Sequence, residues 1–502
     1  MDRRGPVPWR RPPVIRSRST APASGRVVAL LVLAAGRGSR MQSAIPKPLH
    51  RVAGIPMIDH VLRAGAGAKP TTTVVVVGEG SAPLEAHLDA WPDVLIARQP
   101  VPRGTGDAAR RGLAEVPAVD WLVVLFADHP LLTSGVVAQM VLTAGESGAL
   151  VTLLTVTLDD AAGYGRIERD DAGRVRRVVE RRDDDPRHRL GPTEINSGMM
   201  ALRADWARDV LASLPASGAT GEYYLTDLVA AAAAGAREGD AWPVATVPGE
   251  PEVALGVNDR VELAAADQVA RTRVRQRLLR SGVTLVGPET IFIEEGVEVG
   301  VDSTILPFSS LSDGTIVGEG CTIGPSAVIA RSKIGDRVIV RSSTIKESTV
   351  GDDADVGPYA HLRNGTEIGV RAHVGNYAEL KNVRLGAGVK VGHFSYLGDA
   401  DIGPETNIGA GTVTANFDGQ RKHRTTIGAA AFIGSDTVLR APVVVGDGAR
   451  TGAGSVVTKD VPDHRLVVGV PARLVPIRSA ASAVEWSPAA EIVAEQRRRG
   501  EL

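Results

Sequence analysis

The second half of the chain repeats a short motif in which an aliphatic residue directly precedes a glycine. Among the steps between successive pairs, seven are six residues long and two are twelve, so the period is six with slips. A hexapeptide period indicates a parallel β-helix, in which each repeat is one short flat strand, the aliphatic side chain points into the prism and the glycine permits the bend at its corner. The pairs are Val299-Gly300, Val317-Gly318, Ile323-Gly324, Ile334-Gly335, Val350-Gly351, Val356-Gly357, Ile368-Gly369, Val374-Gly375, Leu385-Gly386, Val391-Gly392, Leu397-Gly398, Ile402-Gly403, Ile408-Gly409, Ile427-Gly428, Ile433-Gly434 and Val445-Gly446.

A β-helix buries its aliphatic residues only when one coil stacks on the next, so we expect Val299 to Val457 to form one rigid body. The alternative is a β-sandwich with Val-Gly turns. Sandwiches show turn signals every ~8 to 12 residues and alternating polarity, whereas this region has a six-residue aliphatic period. The β-helix is therefore the preferred interpretation.

Composition favours a protein of several domains with substantial cores. A length of 502 residues favours two to four domains, and 43% of the residues are hydrophobic. The formal net charge of -1 argues against nucleic acid as the main partner. The single cysteine, Cys321, excludes an internal disulfide framework, which fits a reducing cytoplasm. The longest apolar run, from Val27 to Ala35, is too short to span a bilayer, so we expect no membrane segment.

The first half of the chain alternates between apolar strands and helical segments. Residues 1–25 are rich in Arg, Pro and Ser and lack an apolar period, which predicts a disordered basic tail. Continuous apolar strands separated by helices indicate a parallel sheet covered on both faces. The expected strands are Val27 to Leu33, Val74 to Val77, Leu122 to Phe126 and Leu150 to Val156.

A glycine-rich turn follows the first strand, between Leu33 and Met41. Backbone N–H groups in such a turn can approach a phosphate, and Arg37 and Arg40 add positive charge. The dinucleotide fingerprint would require a third glycine where Met41 stands, and the turn lacks the Gly-Lys-Ser/Thr of a P-loop. Prolines on both sides of Lys47 favour an extended segment where its ammonium can meet a phosphate, although a lone lysine is more often a solvated surface residue.

Taken with the hexapeptide region, several short motifs in a fixed order resemble a family of bifunctional bacterial enzymes. That family joins N-acetylglucosamine-1-phosphate uridyltransferase to glucosamine-1-phosphate N-acetyltransferase. The resemblance covers roughly Val27 to Val470 and implies an α/β Rossmann-like nucleotidyltransferase domain followed by a left-handed parallel β-helix. The motifs in the first half are Leu33 to Met41, Ile45 to Leu49, Arg98-Gln99, Gly104 to Gly106, Phe126 to Leu131, Gly163 to Ile167, Val179-Glu180, Glu194 to Gly198, Gly221 to Asp227 and Gly256 to Arg260.

The resemblance implies two reactions of UDP-N-acetylglucosamine synthesis. Acetyl-CoA would acetylate glucosamine 1-phosphate, and UTP would then react with N-acetylglucosamine 1-phosphate, with Mg2+ as cofactor and pyrophosphate as product. The second reaction is an in-line attack on the α-phosphorus that requires no side-chain nucleophile. A cytoplasmic homotrimer that supplies peptidoglycan synthesis is implied, without a nucleic-acid or membrane partner.

The expected domain boundaries follow from these patterns. A helix from Asp259 to Arg280 has charged residues throughout and no Pro or Gly, and Gly282 would end it. A short helix is expected from Ala489 to Arg499 within the last segment. The predicted divisions are a basic tail at 1–25, the nucleotidyltransferase domain at 26–258, a linker helix at 259–283, the β-helix at 284–475 and a C-terminal tail at 476–502.

For the uridyltransferase site, the resemblance assigns roles residue by residue. Arg40 and Lys47 are implied to be catalytic. Asp128 and Asn258 are implied to bind Mg2+, which suits a carboxylate and an amide oxygen, although an Asp after a strand is otherwise often a helix cap. Nucleotide contacts are implied for Leu33, Ala34, Gly36, Gly38, Lys47, Gln99, Gly104 and Thr105, of which the last three contact the uracil base.

Sugar recognition is implied for a second group of residues in the same domain. Each sugar hydroxyl left unpaired on burial costs ~1 to 3 kcal/mol, so a sugar site needs several backbone, amide and carboxylate partners. Glu180 and Asn196 are equally compatible with surface and turn positions. The implied sugar contacts are Gly165, Glu180, Asn196 and Asn258, with Tyr224 and Thr226 as further candidates.

In the β-helix, the resemblance implies that His393 is the general base of acetyl transfer, for which the ordinary histidine pKa of ~6.5 is suitable. From Gly409 to Gly428 the hexapeptide pattern skips nineteen residues, so this polar stretch either distorts a coil or leaves it as a loop. A lone histidine in a repeat is otherwise more often structural. The implied contacts are Arg363, Lys381 and Lys422 for the sugar phosphate, Tyr396, Asn407 and Asn416 for the sugar and its reacting group, and Ala410, Asn416, Ser435 and Ala453 for acetyl-CoA.

Some positions depart from the usual residues of the family. The changes in the first half leave the nucleotide less certain, and Gly469 stands where an Arg can help to hold the cofactor. These positions are Pro102, Asp107, Ala127, Asn364, Phe417 and Gly469.

Two alternatives remain open. One is a single-function sugar nucleotidyltransferase whose β-helix only assembles the oligomer, which the trio Lys381, His393 and Asn416 argues against. The other is a scaffold protein with a degenerate catalytic domain. The joint presence of Arg40, Lys47, Asp128 and Asn258 argues against it.

Overall fold

The chain forms two compact units in a computed structural model that describes residues 26–161, 163–216 and 221–475. The predicted tails at 1–25 and 476–502, with the expected helix from Ala489 to Arg499, lie outside the described residues. The first unit contains the described residues up to Arg280, together with Phe292–Val297 and Ser312–Gly314. The second unit contains the rest of the described chain.

A nine-stranded sheet forms the centre of the first unit, with its main strands in the order β11-β7-β10-β6-β1-β4-β5 and the β8–β9 hairpin paired to β10. A two-stranded ribbon, β2–β3, lies apart from it. The strands are β1 Val28–Ala34, β2 Arg51–Val52, β3 Ile55–Pro56, β4 Thr72–Val77, β5 Val94–Arg98, β6 Trp121–Phe126, β7 Val151–Leu158, β8 Arg166–Arg169, β9 Val175–Val179, β10 Thr193–Arg203 and β11 Val244–Gly249.

The four apolar segments predicted as strands are β1, β4, β6 and β7. The prediction of a fully parallel sheet was wrong in one respect, because β10 runs antiparallel to both β6 and β7. The remaining neighbours on the main path are parallel. Antiparallel β10 carries the chain back between two parallel strands, an arrangement that apolar runs alone do not reveal.

Helices cover both faces of this sheet. Leu31 and Leu33 of β1 belong to one buried cluster, with α3, α5 and α6. Leu30 and Val32 belong to the opposite cluster, with α1, α2 and α4, which explains why the strand is apolar at every position. The helices are α1 Met57–Gly65, α2 Ala82–Leu88, α3 Thr105–Ala114, α4 Ser134–Ser147, α5 Ala204–Ser213, α6 Asp227–Ala234 and α7 Arg260–Arg280.

The long helix α7 corresponds to the predicted linker helix. Its buried residues Ala266, Ala270, Val274 and Leu278 recur every four residues, so one stripe of a largely charged helix is covered. Neither α7 nor any other helix in the described ranges is long and apolar enough to cross a membrane.

The second unit is a parallel β-helix with three short strands in each coil. Thr304–Ile305 pairs with Thr322–Ile323 eighteen residues later, and the buried Ile305, Ile323 and Val340 lie in register. One face consists of Thr284–Leu285, Thr304–Ile305, Thr322–Ile323, Ile339–Val340, Asp355–Val356, His373–Asn376, Lys390–His393, Asn407–Ile408, Phe432–Ile433, Arg450–Thr451, Leu466–Gly469 and the final antiparallel strand Ala472–Leu474.

The other two faces of the prism carry the remaining strands. Three strands per coil and hexapeptide steps confirm the predicted left-handed β-helix. These strands are Glu298–Val299, Ser310–Ser312, Ile316–Val317, Val328–Ala330, Lys333–Ile334, Thr344–Lys346, Thr349–Val350, His361–Arg363, Glu367–Ile368, Glu379–Leu385, Tyr396–Ile402, Val413–Ala415, Thr425–Ile427, Val438–Arg440, Val443–Val445 and Val456–Val457, and a further short strand, Phe292–Ile293, belongs to the first unit.

The glycines of the repeat were expected to permit the bend at each corner of the prism. This explanation was wrong for most of them. Of the sixteen, only Gly324 and Gly357 have positive φ. A Cβ on Gly369 would lie 2.6 Å from the backbone of Gly386 in the next coil, a distance that real Cβ atoms do not reach. The glycine therefore permits close stacking of coils, whereas corner residues such as Asp302 adopt the left-handed conformation.

Candidate active sites

Four of the predicted polar residues meet at one edge of the sheet in the first unit. The Lys47 ammonium donates to Asp128 Oδ2 at 2.5 Å and to Asn258 Oδ1 at 3.0 Å. Arg40 also donates to Asn258 Oδ1, at 3.0 Å. The carboxylate and the amide oxygen thus lie within hydrogen-bond distance of the same nitrogen, although more than two hundred residues separate Lys47 from Asn258.

Asp128 reaches this place because it follows β6, and the carboxyl ends of parallel strands are where open α/β sheets bind ligands. His129 Nδ1 lies 2.9 Å from the other carboxylate oxygen, Oδ1. Burial raises the pKa of Asp128, but hydrogen bonds and charge from His129 and Lys47 outweigh it and hold that pKa well below its usual range. The carboxylate is therefore ionised, and Oδ1 is already hydrogen-bonded.

The backbone and side chain of Asn258 are fixed by its own neighbours. Its Nδ2 donates to the Gly256 carbonyl at 3.3 Å, and its backbone N–H donates to Glu262 Oε2 at 2.5 Å. The side-chain oxygen is thereby left to face Lys47 and Arg40. One carboxylate and one amide oxygen fit Mg2+, which takes other oxygens from phosphates and water. In the ranges that the structure describes, no group of three or more His, Cys, Asp or Glu residues is placed to hold a metal ion.

The glycine-rich turn lies beside these residues. Gly38 has φ +62°, and a Cβ there would lie 2.6 Å from Cβ of Lys47, so a larger residue would displace the lysine. Gly36 has open space around its Cβ position. Leu33 and Ala34 end β1 at the same edge of the sheet.

The three residues predicted to contact the base also lie close together. Gln99 follows β5, and its Nε2 donates to the Gly104 carbonyl at 3.1 Å. Thr105 opens α3, and its hydroxyl accepts from the backbone N–H of Leu225 at 3.0 Å. A Cβ on Gly104 would lie 2.5 Å from the Tyr223 carbonyl, so this position also requires glycine.

The predicted sugar contacts form a second cluster around the β8–β9 hairpin. Asn196 donates its backbone N–H to the Gly165 carbonyl at 2.8 Å. Thr226 donates its hydroxyl to Glu180 Oε1 at 3.0 Å, and the Cβ position of Gly165 lies 3.6 Å from Glu180 Oε2. Tyr224 instead donates its hydroxyl to Glu222, at 3.1 Å.

In the β-helix, His393 has a partner that the sequence did not indicate. Its Nδ1 lies 2.8 Å from Asn376 Oδ1, and the two residues are in register on adjacent coils. Because an amide oxygen only accepts hydrogen bonds, Nδ1 carries the proton and Nε2 has the lone pair that a general base needs.

A ladder of small residues continues from His393 along the same corner. Lys390–His393, Asn407–Ile408, Phe432–Ile433 and Arg450–Thr451 pair in register, so the residues after them occupy equivalent places in successive coils. Adjacent coils are ~4.8 Å apart, so His393 and Ala453 are separated by about 14 Å along this corner. The ladder starts at His393 and continues with the small residues Ala410, Ser435 and Ala453.

Two of the predicted phosphate-binding cations are adjacent to each other. A hydrogen bond and the charge of Lys381 lower the pKa of Lys422. Lys381 is in register with Arg363 on the preceding coil and with Gly398 on the next. Paired cations of this kind are stabilised by an anion. Arg363 itself donates to Glu379 at 2.6 Å.

The long polar stretch after Gly409 resolves into a strand and a loop. Val413–Ala415 stays in the coil, and the chain leaves it at Asn416 and returns at Thr425–Ile427. Asn416 Nδ2 donates to Asp399 Oδ2 at 2.6 Å.

Tyr396 lies close to Asn416, because the Cβ position of Gly398 is 2.6 Å from the Tyr396 hydroxyl and 2.7 Å from Asn416 Nδ2. Asn407 lies at the start of Asn407–Ile408. Among the described residues, no hydrogen bond or ion pair joins Asn407 or His393 to Arg363, Lys381 or Lys422. The residues that sequence reasoning missed are partners from neighbouring elements: Asp107, His129, Glu262, Asn376 and Asp399.

Two family models match the chain. A MobA-like NTP transferase domain matches residues 30–164, which include the glycine-rich turn, Lys47 and Asp128. The bacterial transferase hexapeptide model, with six repeats, matches residues 424–459.

Curated relatives align with most of the chain. The Bifunctional protein GlmU of Heliobacterium modesticaldum is 43% identical over 439 residues, which is 87% of this chain and 94% of the relative. The Bifunctional proteins GlmU of Trichlorobacter lovleyi and Stutzerimonas stutzeri are each 41% identical over 88% of this chain. The two alignments cover 95% and 96% of those relatives, respectively. Both units of the fold therefore fall within the similarity.

Proposed function

Because the chain belongs to the family of bifunctional GlmU proteins, we propose that it makes UDP-N-acetylglucosamine in two steps, one in each unit. The enzyme is a glucosamine-1-phosphate N-acetyltransferase and an N-acetylglucosamine-1-phosphate uridyltransferase. The observation that carries this proposal is the presence of two separate polar sites, one around Lys47 and Asp128 and the other around His393, within a chain that matches its relatives over both units.

In the uridyltransferase site, Lys47, Arg40 and the N–H groups of the glycine-rich turn hold the phosphates of UTP. The phosphate oxygen of N-acetylglucosamine 1-phosphate attacks the α-phosphorus, and pyrophosphate leaves. Asp128 and Asn258 hold Mg2+, which when bound neutralises charge on the phosphates. Lys47 then exchanges its present partners for phosphate oxygens.

The cluster of Gly165, Glu180, Asn196 and Thr226 holds the sugar in this first site. A carboxylate, an amide and backbone groups supply the mixed set of donors and acceptors that sugar hydroxyls and an N-acetyl group require. Gln99, Gly104 and Thr105 hold the uracil base at the carboxyl end of β5.

In the acetyltransferase site, Lys381, Lys422 and Arg363 hold the phosphate of glucosamine 1-phosphate. His393 Nε2 takes a proton from the sugar ammonium, and the resulting amine attacks the thioester carbonyl of acetyl-CoA. The C–S bond breaks as the amide forms, and the proton that the attacking nitrogen loses in this step goes to the thiolate of CoA. The ladder from His393 to Ala453 leaves room for the extended cofactor.

We assign the protein to the cytoplasm and infer a homotrimer. A prism with flat faces packs readily about a threefold axis. Tyr359, Tyr377 and Phe394 lie at the same corner of successive coils and are 57%, 61% and 58% exposed, which makes an apolar patch suited to contact between copies. Sedimentation equilibrium should give about three times 52.5 kDa, and a mass of one chain would contradict the trimer.

Two assays on the purified protein test the proposed function. The first follows pyrophosphate release from N-acetylglucosamine 1-phosphate with UTP, dTTP, CTP or GTP, with Mg2+ and with EDTA. The second follows free thiol release from acetyl-CoA with glucosamine 1-phosphate. We expect both activities, with UTP preferred and Mg2+ required only in the first. Pyrophosphate release without thiol release would leave the β-helix as an assembly element, and the absence of both would favour a scaffold.

A further inference from the structure

A buried carboxylate lies directly behind the residue proposed to contact the nucleobase. The Asp107 side chain is 0% exposed and pairs with Arg110 at 2.7 Å and Arg111 at 3.0 Å. It also accepts from Gln99 Nε2 at 2.9 Å. Burial raises the pKa of Asp107, but the hydrogen bonds from Gln99 and the two arginines outweigh it and lower that pKa, so the carboxylate is ionised and only accepts hydrogen bonds.

This contact fixes which way the Gln99 amide faces. Its two N–H groups donate to Asp107 Oδ2 and to the Gly104 carbonyl, at 2.9 and 3.1 Å. If the amide were turned over, Oε1 would face the Asp107 carboxylate and the Gly104 carbonyl. Neither group can donate a hydrogen bond to it. The orientation is therefore determined by its partners.

The oxygen of the same amide remains available to a ligand. In the part of the chain that the structure describes, no group donates to Gln99 Oε1, and the atom keeps contact with solvent although the residue is only 4% exposed. Gln99 also lines a cavity of about 510 Å3 at the carboxyl ends of β4 and β5. Gly104 and Thr105 lie at the start of α3 beside Gln99, and in the first turn of that helix the Gly106 N–H donates to the Tyr223 carbonyl at 2.8 Å.

We propose that Asp107 sets the nucleobase specificity of the uridyltransferase by holding Gln99 with its oxygen toward the base, an inference that rests on the proposed function. A hydrogen-bond acceptor at this place matches uracil, whose N3–H is a donor. Cytosine carries a lone pair at N3, which would face the lone pairs of Gln99 Oε1. Asp107 thus selects UTP over CTP as a positioning residue, and it does not discriminate against dTTP, whose base has the same edge.

The test is the ratio of kcat/KM for UTP to that for CTP in Asp107→Asn, measured by pyrophosphate release. The new amide can donate as well as accept, so Gln99 is free to turn and present N–H to the base. We expect the ratio to fall roughly tenfold or more, with most of the change in the KM for UTP. The value of kcat/KM for dTTP should fall in parallel with that for UTP.

Arg110→Gln is the matched control, because it removes one ion pair of Asp107 but leaves the contact with Gln99. Arg110→Gln should lower the thermal stability, as Asp107→Asn does, but it should not change the ratio of kcat/KM for UTP to that for CTP. Asp107→Ser is a second variant, in case Asp107→Asn does not fold, and should also lower the ratio.

An unchanged ratio in the Asp107 variants, or an equal fall in Arg110→Gln, would overturn the inference while leaving the proposed function intact. A wild-type protein that does not use UTP would instead remove the proposed function, and this inference with it.

Discussion

A neighbouring side chain orients three of the proposed site residues. Asn376 holds His393, His129 holds Asp128, and Asp399 holds Asn416. These contacts cost little when the partner is already placed by the fold, and they keep the reacting group in one geometry. Removing a partner should therefore reduce turnover more than it reduces substrate binding.

Asn376→Ala tests this for acetyl transfer. Without the acceptor at Nδ1, the His393 ring loses both its preferred tautomer and its orientation. We expect kcat for thiol release to fall about tenfold or more, with little change in the KM for glucosamine 1-phosphate. The loss should not exceed the ~10²–10⁴-fold that a general base contributes in total. Steady-state kinetics at pH 7.5 or so would measure the effect.

Asn376→Asp serves as the matched control, because its carboxylate still accepts a hydrogen bond from Nδ1. It should retain most of the activity that the alanine variant loses. Equal losses in both variants would show that the amide has another role, and full activity in Asn376→Ala would remove its positioning role.

Residues within short motifs could be predicted from the sequence, but their partners could not. Lys47, Asp128 and His393 stand in recognisable segments. Asn376 lies seventeen residues before His393, and a period of six with slips does not give the register that brings them together. The sequence marks Asp107 only as a departure from the usual residue of the family, because its proposed role depends on a contact with Gln99 across a turn.

The β8–β9 hairpin depends on a carboxylate just beyond it. The side chain of Asp184 is 1% exposed and accepts hydrogen bonds from Arg166 of β8 and from Arg189. Hydrogen bonds from Arg166 hold the pKa of Asp184 below its usual value, against the effect of burial. The hairpin region also carries Gly165 and Glu180, so this ion pair connects stability with the proposed sugar site.

Asp184→Asn should destabilise the first unit by about 3 kcal/mol, because two largely buried guanidiniums lose their carboxylate. A depressed pKa stabilises the fold fully above the unfolded value of ~3.9, and this contribution disappears as pH falls through the folded value. The difference between wild type and variant should therefore shrink below about pH 4. Calorimetry across pH 3 to 8 would measure it.

The neighbouring Asp185→Asn is the control for that experiment, since Asp185 pairs with Arg187, which is 85% exposed. Its effect should stay within about 0.5 kcal/mol. A loss as large as that of Asp184→Asn, or no loss in the latter, would show that burial of this ion pair does not decide the stability of the hairpin.

Substitution of glycines in the repeat tests whether they permit the close stacking of the coils. Gly369→Ala would place a Cβ 2.6 Å from the Gly386 backbone, so the coils must separate locally. We expect the free energy of unfolding of the β-helix to fall by roughly 1–3 kcal/mol. Gly392→Ala has open space at its Cβ position and should unfold like the wild type. Similar denaturant midpoints for both variants would contradict this role for the glycine.

The two units of the molecule differ in how far the sequence predicts them. The period of six identifies the β-helix because each coil repeats the same packing, so one rule covers nearly two hundred residues. In the first unit, continuous apolar runs predict buried strands and helices on both faces, but not antiparallel β10, since direction depends on contacts distant in sequence. The residues proposed for the uridyltransferase all lie in the described part of the first unit, and those proposed for the acetyltransferase all lie in the described part of the second.

The most direct test of two independent sites is to measure both activities in Asp128→Ala and in His393→Ala. Asp128→Ala should reduce Mg2+-dependent pyrophosphate release by about a hundredfold or more and leave thiol release unchanged. His393→Ala should give the reverse pattern, with a similar loss of thiol release. If one substitution abolished both activities in a folded protein, or if Asp128→Ala kept full pyrophosphate release, the assignment of one reaction to each unit would be wrong.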